Sequence, residues 1–211
     1  MSEDLISRLI RDLRPVPRQT VVRRLAIGVC AGAAVSAVLI ALTFGFRPDM
    51  VRAGGAMFWV KLAYGLGLGG LALWTCERLA RPAGRSGRRA RWLAAPVLAL
   101  AGLAAWQLAS APAAMRTPML MGHSALLCPW LILGFSMPPL AGLTWAARGL
   151  APTRLRLTGA MIGLAAGGAG VVVYALHCDE RAAPFLALWY TLGMLFSGLV
   201  GALTGPRLLR W

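Results

Sequence analysis

Six apolar runs, each closed by charged, proline or glycine residues, divide the chain at about 25–46, 56–76, 92–111, 122–147, 158–177 and 185–204. A helix needs about 20 apolar residues to cross a hydrocarbon core of about 30 Å, and each run supplies that length. In lipid every backbone N–H and C=O has to be paired internally, so runs this long and without strand-like alternation predict helices. The expected fold class is all-α: a six-helix transmembrane bundle with short loops. The first run is too long, and its N-terminal flank too structured, for a cleaved signal peptide.

Three connections on one side are short: 47–55, 112–121 and 178–184. On the other side lie the arginine-rich "ERLARPAGRSGRRAR", the short "RGLAPTRLR", a leading segment 1–24 and a tail 205–211 around the bundle 25–204. Chemistry is thereby confined to the bundle, its rims or the leading segment. Small residues recur every fourth position at Gly28/Gly32/Ser36, Gly65/Gly69, Gly159/Gly163/Gly167 and Gly193/Ser197/Gly201. Such stripes let helix backbones approach closely where lipid offers no hydrophobic drive to associate. Pro129, Pro138 and Pro139 all fall in the fourth run and predict a kink or local unwinding there.

The leading segment has a different period. At about 100° per residue, Leu5, Ile6, Leu9, Ile10 and Leu13 share one arc, with Ser7, Arg8, Arg11 and Arg14 opposite. Ser2, Glu3 and Asp4 suit a helix start, and Pro15 and Pro17 end it. A basic amphipathic helix either lies on anionic lipid or inserts its apolar face into a groove on a partner.

Composition supports the membrane reading: 58% of residues are hydrophobic and the mean hydropathy is +0.67. The net charge of +15 would suggest nucleic acid in a soluble domain, but here the placement of the charge decides. Seventeen arginines fall on the side of the termini and the 77–91 loop, against Arg47, Arg52, Arg116 and Arg181 on the other. Basic residues collect in cytoplasmic loops, so the expected topology is N-in and C-in, with no direct contact to nucleic acid.

Few polar side chains interrupt the runs. Cys30 and Cys76 fall toward the basic side, where a free cysteine acts as a small buried hydrophobe. Cys128 and Cys178 fall toward the other side, with His123 near the first and His177, Asp179 and Glu180 adjoining the second. Two thiolates and two imidazoles converging at one depth would suit a soft or borderline metal ion, and Met50, Met57, Met115, Met119 and Met121 add thioethers that favour Cu(I). Two thiols facing an oxidising compartment could equally form a reversible disulfide. Lys61, the single lysine, either snorkels to the interface or pairs with Asp49, Asp179 or Glu180.

Other functions lack their chemistry. A transporter or channel would need polar groups through the midplane, and beyond Lys61 the runs supply almost none. A quinone-linked thiol oxidoreductase would need a vicinal or CxxC pair. A structural membrane subunit would be indifferent to replacement of Cys128 and Cys178. No Ser/His/Asp or paired-carboxylate constellation points to an enzyme, and no constitutive cofactor is expected.

"DLISRLIRDLRPVPR", "FWVKLAY", the Cys-Pro of the fourth run and "LHCDE…PFLALWYTLGM" resemble the NrsF-type anti-sigma factors along essentially the whole chain. The resemblance implies a bacterial inner-membrane protein that holds an extracytoplasmic-function sigma factor through its cytoplasmic surface and releases it under metal stress, copper included. It implies that Cys128 and Cys178 respond to the signal, and that Leu5, Ile6, Leu9, Ile10, Leu13, Pro15 and Val16 bind the sigma factor. On the same ground it favours a partner-binding role for the leading helix, with the 77–91 loop as a second contact. Cys30 and Cys76 lie outside the family pattern.

Overall fold

The computed structural model describes residues 19–45, 55–81, 84, 87–150 and 152–210. Among them are six helices long and apolar enough to cross a membrane: α1 (Thr20–Thr43), α2 (Gly55–Leu79), α3 (Gly87–Ser110), α5 (Cys128–Arg148), α6 (Leu155–Ala175) and α7 (Ala183–Leu208). A seventh, α4 (Ala113–Met121), is too short to cross and joins α3 to α5. The all-α, six-span expectation holds, with shifted boundaries. Helix α1 starts at Thr20 and α7 runs to Leu208, so the boundaries expected at 24/25 and 204/205 fall inside helices. The leading residues Leu5, Ile6, Leu9, Ile10, Leu13, Pro15 and Val16 lie outside the described residues, as do Asp49 and Met50.

Helix α6 is the centre of the bundle and touches α7, α2, α5 and α1, whereas α3 stands at the edge. The glycine stripes explain how tightly the centre closes. Gly159 faces Gly201, Gly163 faces Ser197, and Gly168 faces Gly65 and Gly69, so closely that a Cβ added to Gly159, Gly163 or Gly168 would collide with the neighbouring backbone. On α1, Gly28 meets Gly142 and Gly32 meets Pro139 of α5. One turn further on, the Ser36 hydroxyl donates to the Phe135 carbonyl at 2.7 Å. Pro139 has no N–H to pair with that carbonyl four residues earlier, so the serine of the stripe satisfies the acceptor that proline leaves free.

The outside is what lipid requires. Trp59, Trp106 and Trp130 are exposed near one end of the helices, and Trp74, Trp92 and Trp145 near the other, in the two belts that amphipathic rings form at membrane interfaces. At the second, basic end, Arg24 donates to the Gly149 carbonyl at 3.1 Å and Arg148 to the Leu208 carbonyl at 2.6 Å, tying the ends of α1, α5 and α7 together. Arg89 lies 4.2 Å from the Trp74 ring centre and pairs with Glu77 at 3.1 Å, which fastens the start of α3 to the end of α2.

Pro129 corrects one expectation. It occupies the first turn of α5, where no N–H is needed, and does not kink the helix; the internal prolines are Pro138 and Pro139. The residues 122–127, expected within the fourth run, form successive turns ahead of α5. Cys30 is exposed on the outside of α1, while Cys76 is buried against Leu79 and Met161, so only Cys76 fits the expected role of buried hydrophobe.

Candidate functional site

Two segments meet at the end of the bundle opposite Arg24, Arg89 and Arg148. One is the turn 122–127 leading into α5; the other is the connector between α6 and α7. Cys128 is the first residue of α5 and fully buried, and Cys178 follows α6, 7% exposed. Helical hydrogen bonding continues past α6, the Cys178 N–H donating to the Tyr174 carbonyl at 3.0 Å, which turns Cys178 back into the bundle. Both cysteines belong to one core cluster with Tyr174, Phe185 and Tyr190. The Tyr174 hydroxyl stands beside both thiols.

Lys61 reaches this cluster from α2. It is 2% exposed, and its Nζ donates to the Cys178 carbonyl at 2.7 Å and lies 5.8 Å from the Tyr190 ring centre. The ammonium therefore does not snorkel; it spans from α2 to the connector. Tyr190 closes a π-helical turn, Leu186–Tyr190, an arrangement that inserts an extra residue per turn and recurs at functional sites. Among the described residues its hydroxyl is buried without a hydrogen-bond partner.

Glu180 closes the outer side. Its Oε1 accepts from the His123 N–H at 2.8 Å, the Ser124 N–H at 3.2 Å and the Ser124 hydroxyl at 3.1 Å. Beyond it opens a cleft of about 420 Å³ lined by Met115, Met119, His123, Asp179 and Arg181 among others. Two further bonds hold the start of α7: Gln107 of α3 accepts from the Ala183 N–H at 2.8 Å, and the Trp189 Nε1–H donates to the Leu120 carbonyl at 2.8 Å.

The four residues expected to share a metal are thus divided. Cys128 and Cys178 share one core cluster, whereas His123 lines the exposed cleft and His177 packs its ring against Phe44 at 5.0 Å, its Nδ1 buried without a partner among the described residues. Among the described residues no group of three or more His, Cys, Asp and Glu side chains is placed to hold a metal ion, so the His₂Cys₂ set is not assembled. The donors that remain together are two thiols. They suit a soft ion such as Cu(I), or oxidation to a disulfide. Sequence reasoning had placed the cysteines at one depth but missed Tyr174 and Tyr190. Tyr174 was findable, because it lies one helical turn before Cys178.

The comparisons bear on what such a site is for. The family model described as negative regulator of sigma F, NrsF, matches residues 9–211. The chain is 42% identical over 219 residues to the anti-sigma-F factor NrsF of Caulobacter vibrioides (strain NA1000 / CB15N). It is 37% identical over 211 residues to the probable anti-sigma-F factor NrsF of Azospira oryzae (strain ATCC BAA-33 / DSM 13638 / PS). Both alignments cover 100% of this chain and 99% of the relative. No solved structure matches the chain significantly.

Proposed function

The chain belongs to the NrsF family, the negative regulators of sigma F, and from that premise we propose how it works. It is an anti-sigma factor, a regulatory rather than catalytic protein whose partner is a sigma factor. In our reading the partner is of the extracytoplasmic-function type and is held at the bacterial inner membrane, with both termini cytoplasmic. The arginine asymmetry supports that orientation, and the two tryptophan belts support insertion across the bilayer. The apolar arc of Leu5, Ile6, Leu9, Ile10 and Leu13, followed by Pro15 and Val16, covers a hydrophobic surface that the sigma factor needs for RNA polymerase.

The observation that carries the sensing part of the proposal is the meeting of Cys128 and Cys178, brought from two segments to one buried cluster. A soft metal ion such as copper bridging both sulfurs would fix the start of α5 to the end of α6. An oxidant in the outer compartment would do the same by taking two protons and two electrons from the thiols to form a disulfide. Because α6 is packed backbone to backbone against α7 and α2, a displacement at its thiol end moves those helices as rigid pieces. At the basic end the bonds of Arg24 and Arg148 join the helix ends that such a movement would shift. Moving occupancy from almost fully bound to almost fully free requires about 5.5 kcal/mol of differential affinity, a magnitude within reach of soft-metal ligation or disulfide formation but beyond one hydrogen bond.

The test is co-purification of the sigma factor with the full chain from membranes, before and after exposure to copper or diamide. Wild type should lose the sigma factor on exposure. Cys128→Ser and Cys178→Ser should retain it under both conditions. Constitutive loss in either variant would mean that the thiols maintain the holding state, and would contradict the proposal.

A further inference from the structure

Glu180 is only 6% exposed although it sits in a connector at the end of the bundle. Its partners, the N–H groups of His123 and Ser124 and the Ser124 hydroxyl, all belong to the turn that leads into Cys128. Glu180 itself is two residues beyond Cys178. One carboxylate therefore bridges the two segments that carry the thiols. The turn is shaped to receive it: Gly122 has a φ of 50°, and a Cβ there would lie 2.6 Å from the Glu180 carboxyl carbon. The grip is passed on through the backbone, because the Ser124 carbonyl accepts from the Cys128 N–H at 2.8 Å. From the opposite side, Lys61 holds the Cys178 carbonyl. Hydrogen bonds to an ionised carboxylate are roughly twice as strong as neutral ones, which suits a joint between two loops.

We propose that Glu180 is a positioning residue of the thiol site, a latch that joins the turn before Cys128 to the connector after Cys178 and so sets the approach of the two sulfurs. The proposal rests on the reading of Cys128 and Cys178 as the responsive pair. Without the latch the two segments lose this joint, and the sulfurs spend less time within bonding range.

The experiment measures how fast diamide closes a Cys128–Cys178 disulfide in the full chain in lipid nanodiscs, with the linked peptides quantified by mass spectrometry. In this reaction the two thiols lose their hydrogens, and the diazene N=N takes both and becomes a hydrazine. Glu180→Ala leaves the part-buried N–H groups of His123 and Ser124 without this acceptor and should slow closure about tenfold. Glu180→Gln keeps an acceptor oxygen and should restore the rate to within about threefold of wild type. Gly122→Ala, whose Cβ displaces the carboxylate, should match Glu180→Ala and provides a second variant if the first folds poorly. Unchanged closure in both Glu180→Ala and Gly122→Ala would overturn the latch. So would a Glu180→Gln rate as low as that of Glu180→Ala, because the oxygen would then not be what matters. Absence of the cross-link in wild type would overturn the thiol pairing beneath it, an outcome distinguishable from failure of the latch alone.

Discussion

The pairing of Ser36 with the carbonyl that Pro139 leaves free makes a prediction with an internal control. Ser36 is fully buried and its hydroxyl donates to Phe135 at 2.7 Å. In Ser36→Ala that carbonyl faces apolar surroundings with neither a helical nor a side-chain donor. Interhelical hydrogen bonds in membranes are worth about 0.6 kcal/mol on average and about 1.7 at most. An unsatisfied buried acceptor adds cost on its own account, so a loss of about 1–2 kcal/mol is expected. Pro139→Ala restores an N–H four residues after Phe135 and gives the same carbonyl a helical partner. In that background Ser36→Ala should cost no more than about 0.5 kcal/mol, which leaves a coupling of roughly 1 kcal/mol in the double-mutant cycle. The assay is reversible SDS unfolding in mixed micelles, followed by tryptophan fluorescence. An equal cost of Ser36→Ala in both backgrounds would refute the reasoning, since the serine would then not be compensating for the proline.

Three other outcomes are expected, two from the packing and one from the sequence of the leading segment. Gly163→Val puts a branched side chain against the Ser197 carbonyl and should destabilise the α6–α7 pair by about 1–3 kcal/mol in the same unfolding assay; wild-type stability would show that these helices are not in close contact. Lys61→Met removes the donor to the Cys178 carbonyl together with a buried charge whose insertion costs about 2.5–3.5 kcal/mol. The variant should therefore insert at least as well as wild type yet expose Cys178 to alkylation severalfold faster, and an unchanged alkylation rate would exclude Lys61 as a holder of the connector. Leu9→Asp places a charge in the apolar arc of the leading segment and should release the sigma factor without any signal, read as loss of co-purification; full retention would remove that arc from the contact.

The six spans were legible because bilayer thickness imposes a length that no other requirement does, and the small-residue stripes were legible because close helix contact demands them every fourth residue. What failed had local causes. Arg116, Thr117 and Pro118 break the apolar pattern over α4 and give it the look of a loop, although it is helical in the structure. Residues 122–127 are apolar enough to pass for helix, which puts the expected start of α5 six residues early; Gly122, with its positive φ, and the grip of Glu180 on two backbone N–H groups hold that stretch as turns. Backbone donors leave no mark in a side-chain pattern, so the partner of Glu180 could not have been named from the sequence. The depth of Cys128 and Cys178 was readable from their places in the runs, and their meeting is consistent with it. The histidines were misjudged because neighbours in sequence can point apart: the chain turns between His177 and Cys178, sending one side chain to Phe44 and the other into the core.

The most direct measurement of the central claim follows Cys128 and Cys178 by mass-tag alkylation in intact membranes while the bound sigma factor is quantified in the same samples, with copper or diamide added stepwise. The account predicts that both thiols become protected together and that sigma release tracks their protection, with a chelator reversing the effect of copper and a reductant reversing that of diamide. Release of the sigma factor while both thiols remain as reactive as in untreated membranes would contradict it.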